Sequence, residues 1–261
     1  MKRFKNVGGG GNLELAPQNF RRIEKLTKNV IYSDIIHYFK NKKGFTLAEV
    51  LVTLGIIGIV SAMTVPTLMQ NYQKKSYVTQ LHKVYNELNQ ALVQYQADKN
   101  AVNLTEAGLN SVDAFGNLFK SYFKIVQDCG NDRTPCFANS YKKISGVNAS
   151  FKCSSNCVVL ASGAAIGTYT NIGVYGNNTI IPIVVDTNGA KGPNILGRDA
   201  FFILLYKNGV LDDMLATNNG ELPPFSKDLH EKSFDGCINS DTSAWHGCFA
   251  KILNDNWEMN Y

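Results

Sequence analysis

The chain has 261 residues, 44% of them apolar and 18% charged, a composition that excludes both a disordered chain and a polytopic membrane protein. The formal charge of +5 is lopsided: residues 1–44 hold ten Lys/Arg against three acids, a net +7, so the other 217 residues carry −2. A basic leader on a mildly acidic body argues against nucleic-acid binding, because the cations lie outside the expected folded domain.

Within the leader, Gly8 to Gly11 form a flexible stretch. Apolar residues at Phe20, Ile23, Leu26, Val30, Ile31, Ile35, Ile36 and Phe39 predict a basic amphipathic helix on the inner membrane surface. Since no Met stands between Met1 and Met63, a later start, at Leu26 or Val30 for example, would need another codon.

From Val50 to Gln73 there is no charged residue, a run of 24. At about 1.5 Å per residue it reaches roughly 36 Å, enough to cross a ~30 Å hydrocarbon core. Lys40, Lys42 and Lys43 precede it, which puts the N-terminus in the cytoplasm and the large C-terminal part outside. Glu49 stands at the head of the run, four residues after Phe45. A carboxylate taken into a bilayer costs on the order of 2.5–3.5 kcal/mol and needs a partner. Glu49 is therefore either solvated among headgroups or waiting for a cation from another copy of the chain.

The string Lys42-Lys43-Gly44-Phe45-Thr46-Leu47-Ala48-Glu49-Val50-Leu51-Val52 resembles the N-terminal motif of type IV pilins and type II secretion pseudopilins. Pro66, 21 residues after Phe45, falls where many members carry a helix-kinking proline. The resemblance covers about residues 42–75. It implies that prepilin peptidase cuts after Gly44 and that Phe45 becomes the N-methylated N-terminus. It also implies an assembly role for Thr46, Glu49 and Pro66, with Glu49 pairing with the Phe45 amine of a neighbouring subunit. Opposite charges attract strongly in a low dielectric, where either alone is costly. The implied partners are other copies of the chain or related pilins, prepilin peptidase and the inner-membrane assembly machinery. The implied location is the inner membrane, single-pass, then a fibre, and no cofactor is required. Two rival readings ignore the motif: a secretory signal peptide cut after Val60-Ser61-Ala62, before Met63, and an uncut signal anchor.

Beyond Pro66, apolar residues recur at Tyr77/Val78, Leu81, Val84/Tyr85, Leu88, Ala91/Leu92 and Tyr95, with a spacing of three and four. The sequence thus divides into a leader (1–44), a membrane-spanning assembly helix (45–70), its amphipathic continuation (71–98), bent at Pro66, and a globular part (99–261). His82 reads as a surface or boundary residue.

In the globular part, residues 112–126 have helical spacing, with Gly116 as a weak point, and 127–150 read as a stapled polar loop. Strands are expected at 157–161, 165–169, 179–186 and 200–206, with a short strand at 210–211 after an Asn208-Gly209 turn. Pro182 marks its strand as an edge or a bulge. The fold class is α+β, a long helix packed on an antiparallel sheet.

All six cysteines lie beyond the apolar run, which suggests disulfides in an oxidising compartment. Six allow 15 pairings. Neighbour pairing, Cys129–Cys136, Cys153–Cys157 and Cys237–Cys248, is the favoured set. A zinc site of Cys237, His246 and Cys248 is the competing reading, with no trusted template. In the loop from Asp186 to Asp199, Asp186 and Asn188 could supply calcium oxygens, as in some secretion pseudopilins, but Ala190 breaks an EF-hand pattern. The favoured reading is a turn tied by Arg198 to Asp199 or Asp186. Asp212 and Asp213, after a hairpin turn, read as solvated. Trp245, Trp257 and Tyr261 read as sealing a small core, or, if exposed, as part of a binding module for sugar, surface or cargo. No catalytic triad or phosphate loop has believable spacing, so an enzyme is not expected.

Overall fold

Helix α1 (Leu47–Asp98) is the longest element of a computed structural model that describes residues 44–169, 178–213, 221–239 and 246–261. The expected leader helix, residues 42–43 of the motif and Trp245 lie outside the described residues. The chain divides into two compact units, residues 1–64 and 65–261, and α1 contributes to both.

In the first unit, α1 has no buried face. Leu51, Val52, Leu54, Ile56, Ile57 and Ile59 point around the helix and are each 58–62% exposed. A helix that is apolar on every side is suited to lipid rather than water. Pro66, in the second unit, stands inside α1 without ending it.

In the second unit, α1 buries Val78, Leu81, Val84, Leu88, Ala91, Leu92 and Tyr95, the stripe expected from the spacing. They pack against one face of an antiparallel sheet. In order across it, its strands are β1 (Ile125–Gly130), β4 (Ser155–Leu160), β5 (Ala165–Thr168), β6 (Thr179–Asp186), β7 (Ala200–Tyr206) and β8 (Leu211–Asp212). A two-stranded ribbon, β2 (Tyr141–Lys142) with β3 (Asn148–Ala149), forms a separate small sheet. Alternation along the strands sends Ile183, Val185, Phe201 and Ile203 toward α1. Val184 and Phe202 point the other way, into a second core with Phe137, Tyr141 and Phe151. Both faces of β6 and β7 are thus covered, which is why every residue of both strands is buried.

The covering elements are short and stapled. Cys129–Cys136 and Cys153–Cys157 bracket the segment over the second core. Cys237–Cys248 joins α3 (Lys227–Ile238) to α4 (Cys248–Asn254), so these two sulfurs are bonded to each other rather than available to zinc. Helix α2 (Val112–Tyr122) starts at Ser111, whose hydroxyl accepts from Ala114 N at 3.1 Å. Gly116 is not a break: Asn156 lies where its Cβ would stand, and Asn156 Nδ2 donates to Val112 O at 2.7 Å.

Several expectations are corrected. Helix α2 stops at Tyr122, not residue 126, because Phe123 turns to extended backbone and leads into β1, which occupies part of the expected loop. The strand with Pro182 is interior, not an edge. Its proline is tolerated because it faces the point where β5 ends: Pro182 O accepts from Tyr169 N at 3.1 Å, just past Thr168, and the return donor is the one proline lacks. The register irregularity lies beside it, between Thr179 and Ile181.

The largest correction concerns Asp212 and Asp213, which are buried rather than solvated. Asp213 Oδ2 accepts from Gly247 N at 2.8 Å and Ala250 N at 2.9 Å, capping α4 from a distance. It replaces the local cap that Gly247 cannot supply. Gly247 has φ +97, and a Cβ there would collide with the Ser233 carbonyl, so α3 and α4 meet only over glycine.

Asp212 Oδ1 stands 3.0 Å from His230 Nε2, a charge contact without the alignment of a regular hydrogen bond. Asn254 Nδ2 donates to Lys227 O and Glu231 Oε1, which turns Asn254 Oδ1 toward His230 Nδ1 at 3.0 Å. Both ring nitrogens face oxygens, the arrangement of an imidazolium. Burial alone would push the His230 pKa down; Asp212, Asn254 and Asp213 more than offset this and hold it above the ordinary histidine value.

His230 therefore adds stability in full below about pH 6.5 and loses it as pH rises through its raised folded-state pKa. Asp186, pushed up to about 8 chiefly by burial, slopes the same way, since its folded form holds a proton that the unfolded chain releases. The urea midpoint of the wild-type chain should fall between pH 6 and 9. It should fall less in His230→Gln, which lacks the His230 contribution while the other buried groups, Asp186 and Asp199 among them, are unchanged. Equal slopes in the two chains would contradict a cationic His230.

Candidate processing and assembly site

The motif residues lie at the start of α1. Gly44, Phe45 and Thr46 are not helical, and α1 begins at Leu47. Phe45 is 87% exposed, and nothing stands within 4 Å of where a Gly44 Cβ would be. The Gly44–Phe45 peptide bond is therefore in open, non-helical backbone.

Thr46 and Glu49 fix that boundary. Glu49 Oε2 accepts from Thr46 N at 2.8 Å and from Thr46 Oγ1 at 2.9 Å. The Thr46 hydroxyl oxygen in turn accepts from Glu49 N at 3.2 Å. This reciprocal pair is a capping box, with Thr46 at the cap and Glu49 three residues on. Thr46 O also accepts from Val50 N at 3.2 Å, the first bond of the helix. Glu49 Oε1 has no partner among the described residues, so one oxygen anchors the helix start and the other faces outward. The signal was present in the sequence as Thr-x-x-Glu ahead of an apolar run, and the reading there did not use it.

Two downstream hydroxyls are satisfied within the helix. Thr53 Oγ1 donates to Val50 O at 3.0 Å and Thr64 Oγ1 to Val60 O at 2.9 Å. In hydrocarbon, where no water can serve them, this is the required arrangement. Among the described residues α1 is the one helix long and apolar enough to cross a membrane, by length and composition.

The other singled-out residues lie apart from this segment in sequence and are committed elsewhere. Asp186 is buried: its Oδ2 accepts from the Tyr141 hydroxyl at 2.6 Å and its Oδ1 from Asn188 N at 3.2 Å. Asn188 Nδ2 donates to Gly192 O at 3.1 Å. Arg198 forms no ion pair with Asp186 or Asp199 among the described residues. The turn is tied instead by Asp199, whose carboxylate accepts from Asn194 N and Ile195 N, both at 2.7 Å. Among the described residues no three His, Cys, Asp or Glu side chains group as metal donors. Trp257 stacks on His82 at 4.0 Å and tilts against Tyr85, and the Tyr261 hydroxyl donates to Gly197 O at 2.7 Å. Both rings are half-buried and close the core.

The model of the prokaryotic N-terminal methylation motif matches residues 39–65. The type IV wide pilus major component PilA4 of Thermus thermophilus is 31% identical over 107 residues, 41% of this chain and 75% of that protein. This chain belongs to the type IV pilin and pseudopilin family. The type II secretion system core protein G of Aeromonas hydrophila is 36% identical over 73 residues, 28% of this chain and 50% of that protein. Prepilin peptidase-dependent protein D of Escherichia coli is 34% identical over 76 residues, 29% and 47% of the two chains. The chain spans about half the length of the core protein G relatives it matches. The first two of these relatives bear the names of a pilus and a secretion-system component, and the third that of a protein dependent on prepilin peptidase. No solved structure matches the chain.

Removing the capping box tests what holds the helix start. In detergent-solubilised chain, Thr46→Ala should speed amide exchange several-fold at the first turn, Leu47 to Val50, and leave Val78 to Tyr95 unchanged. Unchanged exchange at the first turn would show that the box does not hold it.

Proposed function

We propose that this pilin-family chain is a structural subunit of a type IV pilus-like fibre, made as a single-pass inner-membrane precursor with its C-terminal part outside the cytoplasm. Prepilin peptidase cuts after Gly44, Phe45 becomes the N-methylated terminus, and the subunits polymerise through residues 45–70. The observation that carries this is the Gly44-to-Glu49 string heading an exposed, uncharged helix. The scissile bond is open to a protease, and the outward Glu49 oxygen is available to the Phe45 amine of a neighbour. Burying the exposed apolar half of α1 among copies would supply the driving force.

Within that reading the chain is a type II secretion pseudopilin, which the several core protein G relatives favour. A second reading is a minor pilus subunit whose C-terminal domain is a binding or adhesion module; the PilA4 match, which covers more of both chains, favours a pilus over a secretion machine and bears on neither the minor role nor the module. Half-burial of Trp257 and Tyr261 counts against an aromatic sugar platform made of those two rings. Loss of the chain would abolish protein secretion on the first reading and surface attachment on the second.

Glu49→Ala should leave cleavage after Gly44 largely intact and reduce sheared fibre to background, as read by immunoblot of membrane and fibre fractions. Wild-type fibre levels from that variant would remove Glu49 from assembly.

A further inference from the structure

A groove of about 610 Å³ runs between α1 residues Asn71 to His82 and the tail Trp257 to Asn260, wholly within the second unit. Its walls are apolar at Val78 and Met259 and aromatic where His82 stacks on Trp257. One end carries two cations, Lys74 and Lys75; the single acid in the lining is Glu258. Lys74 Nζ donates to Tyr261 O and holds the tail against the helix. The exposed Lys75 ammonium has no partner among the described residues.

The position of these cations is set by the sequence. The uncharged run before them is 24 residues, roughly 36 Å of helix. A hydrocarbon core takes ~30 Å of that, leaving about 6 Å for the interfacial layer. Lys74 and Lys75 then stand at the level of the lipid phosphates on the far side of the membrane. The last residues of the run, Leu68, Met69 and Tyr72, are exposed and lead directly to the Asn71 end of the groove. Tyrosine at such a boundary is the usual interfacial anchor. The body outside the leader carries a net −2 with this pair included, so any attraction to an anionic surface has to be local, at the pair itself.

We propose that the Lys75 end of the groove binds the headgroup phosphate of an anionic phospholipid of the outer-facing leaflet. This contact seats the globular part on the membrane before the subunit is drawn into a fibre. The inference rests on the membrane-precursor reading above. Lys75 supplies the charge, Lys74 shapes the site by fixing the tail, and Trp257 lies in the groove as a reporter.

The test uses the full chain carrying Trp245→Phe, which leaves Trp257 as the single tryptophan, reconstituted in phosphatidylcholine vesicles with and without phosphatidylglycerol. The expected result is a shift in Trp257 emission that requires phosphatidylglycerol, is lost in Lys75→Glu, is restored in Lys75→Arg and is unchanged in Lys207→Glu. Inorganic phosphate added to the chain in detergent should not reproduce it; a full response to free phosphate would overturn the lipid assignment. A shift that ignores phosphatidylglycerol and follows protein density would mean that a second copy fills the groove, and would also overturn it. Carbonate extraction separates the two levels. A chain that stays in the vesicles but gives no phosphatidylglycerol response refutes the groove alone. A chain released by carbonate refutes the membrane reading and the groove with it.

Discussion

Helix α1 changes character at Gln73–Lys74, and most of the structure follows from asking one helix to serve two solvents. From Val50 to that point it carries no charge and buries no face, and the Thr53 and Thr64 hydroxyls bond back to its own carbonyls. After it, a stripe at spacings of three and four lies on a sheet, with charged residues between. The capping box belongs to the same logic. A helix that starts near a membrane has four N–H groups to satisfy and little water to do it. Thr46 and Glu49 serve the first of these from within the motif itself, which leaves Gly44 and Phe45 outside the helix.

The globular part solves a different problem. Strands β6 and β7 are buried on both faces, so a sheet in a modest domain needs cover on each side. Helix α1 and the short helices provide one layer; a loop-rich segment held by two disulfides provides the other. Short covers leave helix ends and loop amides inside, and buried carboxylates answer them. Asp213 caps α4, Asp199 ties the 194–199 turn, and Asp186 closes against Tyr141. A cap of this kind contributes about 0.5–2 kcal/mol. The charge of Asp212 is balanced by His230 rather than by solvent.

Periodicity made α1, its buried stripe and the strands from 155 to 212 legible in the sequence, because spacings of two and of three to four survive tertiary packing. Sequence-neighbour pairing of the cysteines agrees with the structure because each pair closes a short loop. The misreadings share one cause. Asp212 and Asp213 look like turn residues, but their partners lie 18 and 34 or more positions away, a separation that no local pattern reports. Helix α2 was read four residues too long because Phe123, Ile125 and Val126 fit a helical spacing as well as a strand. Pro182 reads as an edge or a bulge because the sequence does not show where the neighbouring strand ends; the strand is interior, with a register irregularity beside the proline. At the candidate site, the motif identified the residues but not the geometry: that Glu49 anchors its own helix with one oxygen is visible only in the structure.

Processing after Gly44 is read most directly from the intact mass and N-terminal peptide of the protein taken from native membranes. A chain beginning with N-methylated Phe45 is the expected result and fixes this pilin-family chain as a processed fibre subunit. A chain beginning at Met63, or one still carrying its leader in cells with active prepilin peptidase, would contradict it and remove Glu49 from any role in assembly.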